Sequence, residues 1–385
     1  MIRVQLTVLL GMCILGVYAQ SPLLVPPPYT DSNIKNYTEN HYVYSPVAPS
    51  RNRLMVFLPG TGTIPQFYQL FLKKAANMGY HVAGLMYSNA VTTNSICGTS
   101  SDTNCFTSAR MEVLTGKDLN AGIDVNRTDC IENRLVKLLI YLKIQYPADN
   151  WAQFLENDST VKWQNLVLTG HSQGAGHALF ISKIYEVERV VSFAGMDYHT
   201  MKNKPASWVY QTGETPAERL YCFTHRGDEV LPFQNQIEFW QALKIRNLGG
   251  IKSADSMSPP YFSTHCLTTE REPADNGGTP YHNSTIVSAY VPKDLDNNPL
   301  YDAAWAYLLG NNTTGIHKMQ AHSKRVWFDG TQFHSHLPAT DAVILNGQGR
   351  LLQKFVLDNG VKPGLSSGVY FLIYNKEVMR FSILP

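Results

Sequence analysis

The sequence predicts an α/β protein: a mostly parallel central sheet flanked by helices, followed by a small antiparallel β-module. Three observations carry this. Continuous apolar runs such as Leu54-Met55-Val56-Phe57-Leu58 and Leu166-Val167-Leu168 read as strands covered on both faces. Helical-period segments lie between such runs, which implies right-handed βαβ units. From about Gly315 the pattern changes to short alternating runs separated by turn residues such as Asn346-Gly347 and Asn359-Gly360.

The N-terminus reads as a secretory signal. Arg3 supplies a positive charge, an apolar stretch runs from about Val8 to Val17, and Val17-Tyr18-Ala19 offers small residues for cleavage before Gln20. The apolar run is short for a membrane span, so stable membrane insertion is not expected. Residues 1–19 are therefore set apart from a catalytic unit over 20–314 and a β-rich module over 315–385. An oxidising compartment favours disulfides. Cys97 and Cys105 bracket a Gly/Ser/Thr/Asp-rich loop and are the leading pair, with Cys222–Cys266 as a weaker second. Asn-x-Ser/Thr sites at Asn36, Asn126, Asn157, Asn283, Asn311 and Asn312 make a glycoprotein the expectation. A net charge of +2 over 385 residues, with no basic patch, gives no reason to expect a nucleic-acid partner.

Taken in order, residues 20–50 read as an extended lead-in with an edge strand. The 54–58 strand ends at Pro59-Gly60 and is followed by a helix from Pro65, suited to a first turn, to Met78, with Gly79 just past its end. His81 to Tyr87 is the next strand. Residues 88–128 are polar and loop-rich and form a lid-like insertion. Asp129 with Glu132 can form a capping box for a helix whose Leu135, Leu138, Leu139 and Leu142 recur at core spacing. Residues 189–195 and 220–225 are further strands. Phe233–Ile245 and Pro299–Leu309 are further helices, and 247–298 is otherwise irregular.

The centre of the chain is Gly170-His171-Ser172-Gln173-Gly174, between the Leu166 strand and a helical run from Ala175. A serine nucleophile needs a sharp strand-to-helix turn, with glycines where bulk would collide. A chain of this length carries only roughly 0.1 such pentapeptides by chance. On these residues the chain resembles the α/β-hydrolase superfamily, in which acid and base follow the serine in the order Ser, acid, His. The resemblance implies a triad of Ser172, an acid and a histidine. Asp228, just beyond the 220–225 strand, is the leading acid, ahead of Asp197 and Glu229. His282 is the leading base, ahead of His265 and His225. The backbone N–H of Gln173, at the positive end of its helix, is one oxyanion donor. Thr61 is the leading second donor, with Gly62 as runner-up.

Residues 50–310 further resemble a little-characterised group of secreted, mostly bacterial α/β hydrolases that share the Leu-Pro-Gly-Thr-Gly-Thr turn (58–63) and the His-Asn-Ser-Thr segment (282–285). The tail, through Gly349-Arg350-Leu351-Leu352 and Ser367-Gly368-Val369-Tyr370-Phe371-Leu372, is similar to sorting domains of the bacterial type IX export pathway. The expected function is a secreted serine hydrolase acting on a small-molecule or lipid-like carboxylic ester, with no metal or organic cofactor. The alternative is an inactive hydrolase-fold protein that serves in binding or adhesion.

Overall fold

The computed structural model describes residues 21–47, 49–310, 326–328, 331–335, 338–346, 350–358, 360–374 and 377–383. The signal segment and the Asn311 and Asn312 sites lie outside the described residues. So do Gly347, Gly349 and Asn359 of the C-terminal turns and tail motif. The chain divides into two compact units, 1–312 and 313–385.

In the first unit nine strands form one sheet: β1 (Leu23–Val25), β2 (His41–Tyr44), β3 (Leu54–Leu58), β4 (His81–Gly84), β5 (Leu166–His171), β6 (Arg189–Phe193), β7 (Leu220–His225), β8 (Ile251–Ser253) and β9 (Cys266–Thr269). Their order is β1-β2-β4-β3-β5-β6-β7-β9-β8. From β4 to β8 every pairing is parallel, while β1 and β2 add an antiparallel edge. Side chains alternate across the sheet as the pleat requires. Leu54, Val56, Leu58, Leu166 and Leu168 face one apolar core, and Met55, Phe57, Val167, Val191 and Phe193 face the other. Both faces are buried, which is why the strands read as unbroken apolar runs.

The order reverses at β3. The chain steps from β3 to β4 on one side, then returns to place β5 on the other. In open parallel sheets the crevice at such a reversal, beyond the carboxyl ends of the strands, is where ligands sit. Here it is bounded by the turns after β3 and β5. This is the α/β-hydrolase fold.

Several segments differ from expectation. The 88–128 insertion holds α2 (Thr93–Cys97) and α3 (Cys105–Thr115), after α1 (Gln69–Asn77). α3 is part of the core: Phe106, Ala109, Val113 and Leu114 are buried. Its buried polar groups are satisfied: Arg110 by Asp197, 87 residues on, and Glu112 by the N–H groups of Leu119 and Asn120 in the turn after the helix. The Asp129/Glu132 capping box does not form. Cys130 caps α4 (Ile131–Gln145) through its sulfur, and Asp129 pairs instead with the buried Arg134 at 2.6 Å. Residues 247–298 are less irregular than expected, since they supply β8 and β9. Cys97 and Cys105 form a disulfide joining the end of α2 to the start of α3. Cys222 and Cys266, register partners on β7 and β9, are unpaired thiols.

The second unit holds a strand pair, β10 (Val326–Phe328) with β11 (Phe333–Ser335), and a four-stranded antiparallel sheet. That sheet comprises β12 (Thr340–Asn346), β13 (Leu351–Leu357), β14 (Gly368–Tyr374) and β15 (Glu377–Ile383), in the order β13-β12-β14-β15. Its core includes Phe333, Ile344, Leu357, Leu372 and Phe381.

Candidate active site

Ser172 sits between β5 and α5 (Gln173–Ile184) with φ 52° and ψ −117°. A side-chain-bearing residue there is strained by about 1–3 kcal/mol. The surroundings over-determine it: Ser172 N–H donates to Phe193 O at 2.8 Å, and Ser172 O accepts Gly176 N–H at 3.1 Å. The flanking glycines are sterically required. A Cβ on Gly170 would lie 2.5 Å from the Gly174 carbonyl carbon, and one on Gly174 would lie 2.0 Å from Leu58 O. The motif therefore reflects α5 pressed against the ends of β3 and β5.

The turn after β3 has a specific inventory of N–H groups. Gly60 N–H donates to the Tyr68 hydroxyl at 3.1 Å, Gly62 N–H to Asn89 O at 3.1 Å, and Thr63 N–H to Gly60 O at 3.2 Å. Gly62, the runner-up donor, is thus already engaged. Among the described residues the N–H groups of Thr61 and Gln173 have no partner. The Gln173 side chain ties these parts together: its Oε1 accepts the Thr61 hydroxyl at 3.0 Å, and its Nε2 donates to Val91 O at 2.8 Å.

Asp228 lies beyond the end of β7, buried. Its Oδ1 accepts the N–H groups of Val230 (2.9 Å) and Leu231 (2.8 Å), and its Oδ2 accepts Gln236 Nε2 at 3.1 Å. After α6 (Phe233–Ala242), His282 is carried by α7 (Pro280–Asn283), a single turn of helix where a loop is expected. His282 Nδ1 is 3.0 and 2.9 Å from the two Asp228 oxygens. A carboxylate accepts, so Nδ1 carries the proton and Nε2 keeps its lone pair. Ser172 and His282 line one cavity of about 360 Å³, with Thr61, Met196, Val230 and Leu231 among its other walls. Thr92, Thr93 and Asn94 bring the start of the insertion to the same cavity. Among the described residues, neither Ser172 Oγ nor His282 Nε2 has a protein hydrogen-bond partner, a common state before substrate binds.

The competing residues are otherwise employed. Asp197 is fully buried and holds Arg110 through two bonds of 2.6 Å, while also accepting Trp208 Nε1 at 2.8 Å. Arg110 in turn donates to Gln173 O at 3.1 Å, bracing the start of α5. Glu229 contacts the main chain of His282, not its ring. His225 Nε2 bonds to Arg271 O at 3.1 Å, and His265 stacks on Tyr221 with centroids 4.1 Å apart.

Two further residues of the site, His171 and Tyr68, carry no functional signal in the sequence. His171 is buried beside His282, ring centroids 4.8 Å apart, with Nε2 3.1 Å from His282 O and Nδ1 3.1 Å from the Tyr68 hydroxyl. The second position of the pentapeptide carries no fixed residue type, so nothing local marked it. Burial, then the neighbouring His282, hold the His171 imidazole well below its ordinary range. Burial pushes the Tyr68 phenol up to about 12. The described residues contain no group of His, Cys, Asp and Glu that could hold a metal ion.

No protein-family model and no curated protein sequence matches the chain. Among solved structures it is similar to an esterase from Thermogutta terrifontis, at 14% identity over 67% of this chain and 83% of that one, TM-score 0.35. It is also similar to an acetyl xylan esterase from Aspergillus awamori, at 13% identity over 58% and 80%, TM-score 0.35. A third is a putative dienelactone hydrolase from Klebsiella pneumoniae, at 12% identity over 66% and 85%, TM-score 0.34.

Proposed function

We propose that this protein is a secreted serine hydrolase that cleaves carboxylic esters through an acyl-enzyme. The observation that carries the reading is the His282–Asp228 pair on a cavity shared with a strained serine. In the first step Ser172 Oγ attacks the ester carbonyl as His282 Nε2 takes its proton. Asp228 keeps the imidazole in the required tautomer and favours the imidazolium. The carbonyl oxygen, now negative, turns toward the N–H groups of Thr61 and Gln173, each such donor contributing about 3–4 kcal/mol to the barrier reduction. Collapse expels the alcohol, which takes the proton from His282. Water, activated by the same imidazole, then releases the acid. This chemistry calls for no metal or organic cofactor.

The cavity suits a small-molecule ester, since it is modest in size and its apolar walls are Met196, Val230 and Leu231. Export rests on the signal-like residues 1–19 and fits the Cys97–Cys105 disulfide. Of the candidate glycosylation sites, Asn36, Asn126 and Asn157 are exposed, whereas Asn283 lines the cavity and is the poorest acceptor. Ser172→Ala assayed on a panel of p-nitrophenyl esters tests the mechanism. Turnover and fluorophosphonate labelling should both vanish, and unchanged turnover would overturn it.

A further inference from the structure

α7 is too short to fix His282 by its own backbone bonds, because a single turn leaves most of its N–H and C=O groups without internal partners. The main chain of His282 is held from outside instead. Its N–H donates to Glu229 Oε2 at 3.0 Å, and its carbonyl accepts from His171 Nε2 at 3.1 Å. A carbonyl can only accept, so the proton of the neutral His171 ring is on Nε2 and Nδ1 is an acceptor. Its donor is the Tyr68 hydroxyl, 3.1 Å away; with its one proton so used, the Tyr68 oxygen accepts Gly60 N–H at 3.1 Å and the Thr63 hydroxyl at 2.8 Å. The result is one unbroken path: Gly60 N–H to Tyr68, Tyr68 O–H to His171 Nδ1, His171 Nε2–H to the carbonyl of His282. It starts one residue before Thr61 and ends on the residue that carries the base.

We propose that His171 is a positioning residue, locked in one tautomer by Tyr68, that ties the turn presenting Thr61 N–H to the main chain of His282. The inference rests on the ester-hydrolase reading above. It gives two halves of the site, the oxyanion turn after β3 and the base on α7, one shared reference point. A merely space-filling ring would do neither. The unbranched apolar replacement separates the two roles, because it fills the site without donating to His282 O. A glutamine can restore a donor at the position of Nε2.

The experiment compares His171→Leu, His171→Gln and Tyr68→Phe in the full chain, with Ser172→Ala alongside. Thermal unfolding is followed together with kcat and KM on one p-nitrophenyl ester. His171→Leu should lower kcat by about 10-fold to 100-fold with KM changed little, as expected when a reacting group is displaced by under an ångström. His171→Gln should recover most of the loss. Tyr68→Phe should lower kcat in the same sense, and the double variant Tyr68→Phe/His171→Leu should lose less than the product of the two single effects. A folded His171→Leu variant with wild-type kcat overturns the inference. So does a Gln variant as impaired as the Leu variant. Should His171→Leu fail to fold, Tyr68→Phe decides: unchanged kcat overturns the inference. Ser172→Ala keeps the two levels apart. If it is inactive while the His171 variants are unaffected, only the positioning role falls. If it is fully active, the ester-hydrolase reading itself falls.

Discussion

Glu229 accepts the main-chain N–H of His282 at 3.0 Å, while the preceding carboxylate, Asp228, binds that residue's ring at 2.9 Å. Two consecutive acids thus hold one histidine in different ways. Asp228→Asn should lower kcat by about 10⁴-fold with the fold intact, because the amide favours the wrong tautomer. Glu229→Gln keeps an acceptor for the N–H and should cost no more than about 3-fold in kcat. Steady-state kinetics on both variants checks this, and the reverse ranking would move the acid's role to Glu229.

Gly174→Ala should be among the most damaging small substitutions in the chain. Its methyl would sit 2.0 Å from Leu58 O and 2.5 Å from Pro59 O, both backbone atoms that cannot step aside. Loss of about 3 kcal/mol or more is expected, read as a fall in the urea midpoint or as insoluble protein. Gly277→Ala, where the nearest atom is the flexible Asp275 carboxylate at 3.4 Å, should be silent in the same assay.

Arg110→Met would strand Asp197 as an uncompensated buried charge. The cost should be about 3–5 kcal/mol in chemical unfolding. The double variant Arg110→Met/Asp197→Leu should recover part of that loss, since an apolar pair removes the desolvation cost along with the attraction. Equal destabilisation in single and double variants would show that the bonds to Gln173 O and Trp208 matter more than the charge pairing.

Acid should destabilise the fold earlier than its carboxylates alone would dictate. Burial first, and the Arg134 charge second, push the His41 imidazole down to about 3. The unfolded chain takes up a proton near pH 6.5 that folded His41 refuses, so this contribution is complete above that pH and declines as pH falls toward 3. Between pH 7 and 5 the loss is about 2 kcal/mol. His171 and His177, likewise held low chiefly by burial, act in the same direction. Urea unfolding at pH 7, 6 and 5 measures the slope. Stability that is flat over this range would mean that protonation is accommodated in the folded state.

The parts legible in the sequence are those whose cause is local. Strand, turn and helix around Ser172 are contiguous, and the two glycines mark the close approach of backbones that only the fold makes visible. The apolar runs of β3 and β5 declare a sheet buried on both faces. Long-range satisfaction of polar groups is what a linear reading cannot see. Arg110 looks like a surface residue until Asp197, 87 positions on, meets it. The Asp129/Glu132 spacing suited a cap, yet Arg134 offered Asp129 a stronger partner. β9 is not legible because four residues, two of them threonine, carry too little pattern to separate from a loop. His171 is not legible because its importance lies in residues 103 and 111 positions away.

The one-turn helix bearing His282 draws its support from Asp228, Glu229 and His171, all anchored in or just beyond the sheet. The exposed stretch before it, residues 274–278, carries little of that burden, whereas Ile286 and Val287 just after it are buried in the core. The length and composition of that leading stretch are therefore open to exchange, in evolution or by design, so long as the three outside grips are preserved. A new entrance wall could be fitted around an unchanged reaction centre by rebuilding that stretch alone.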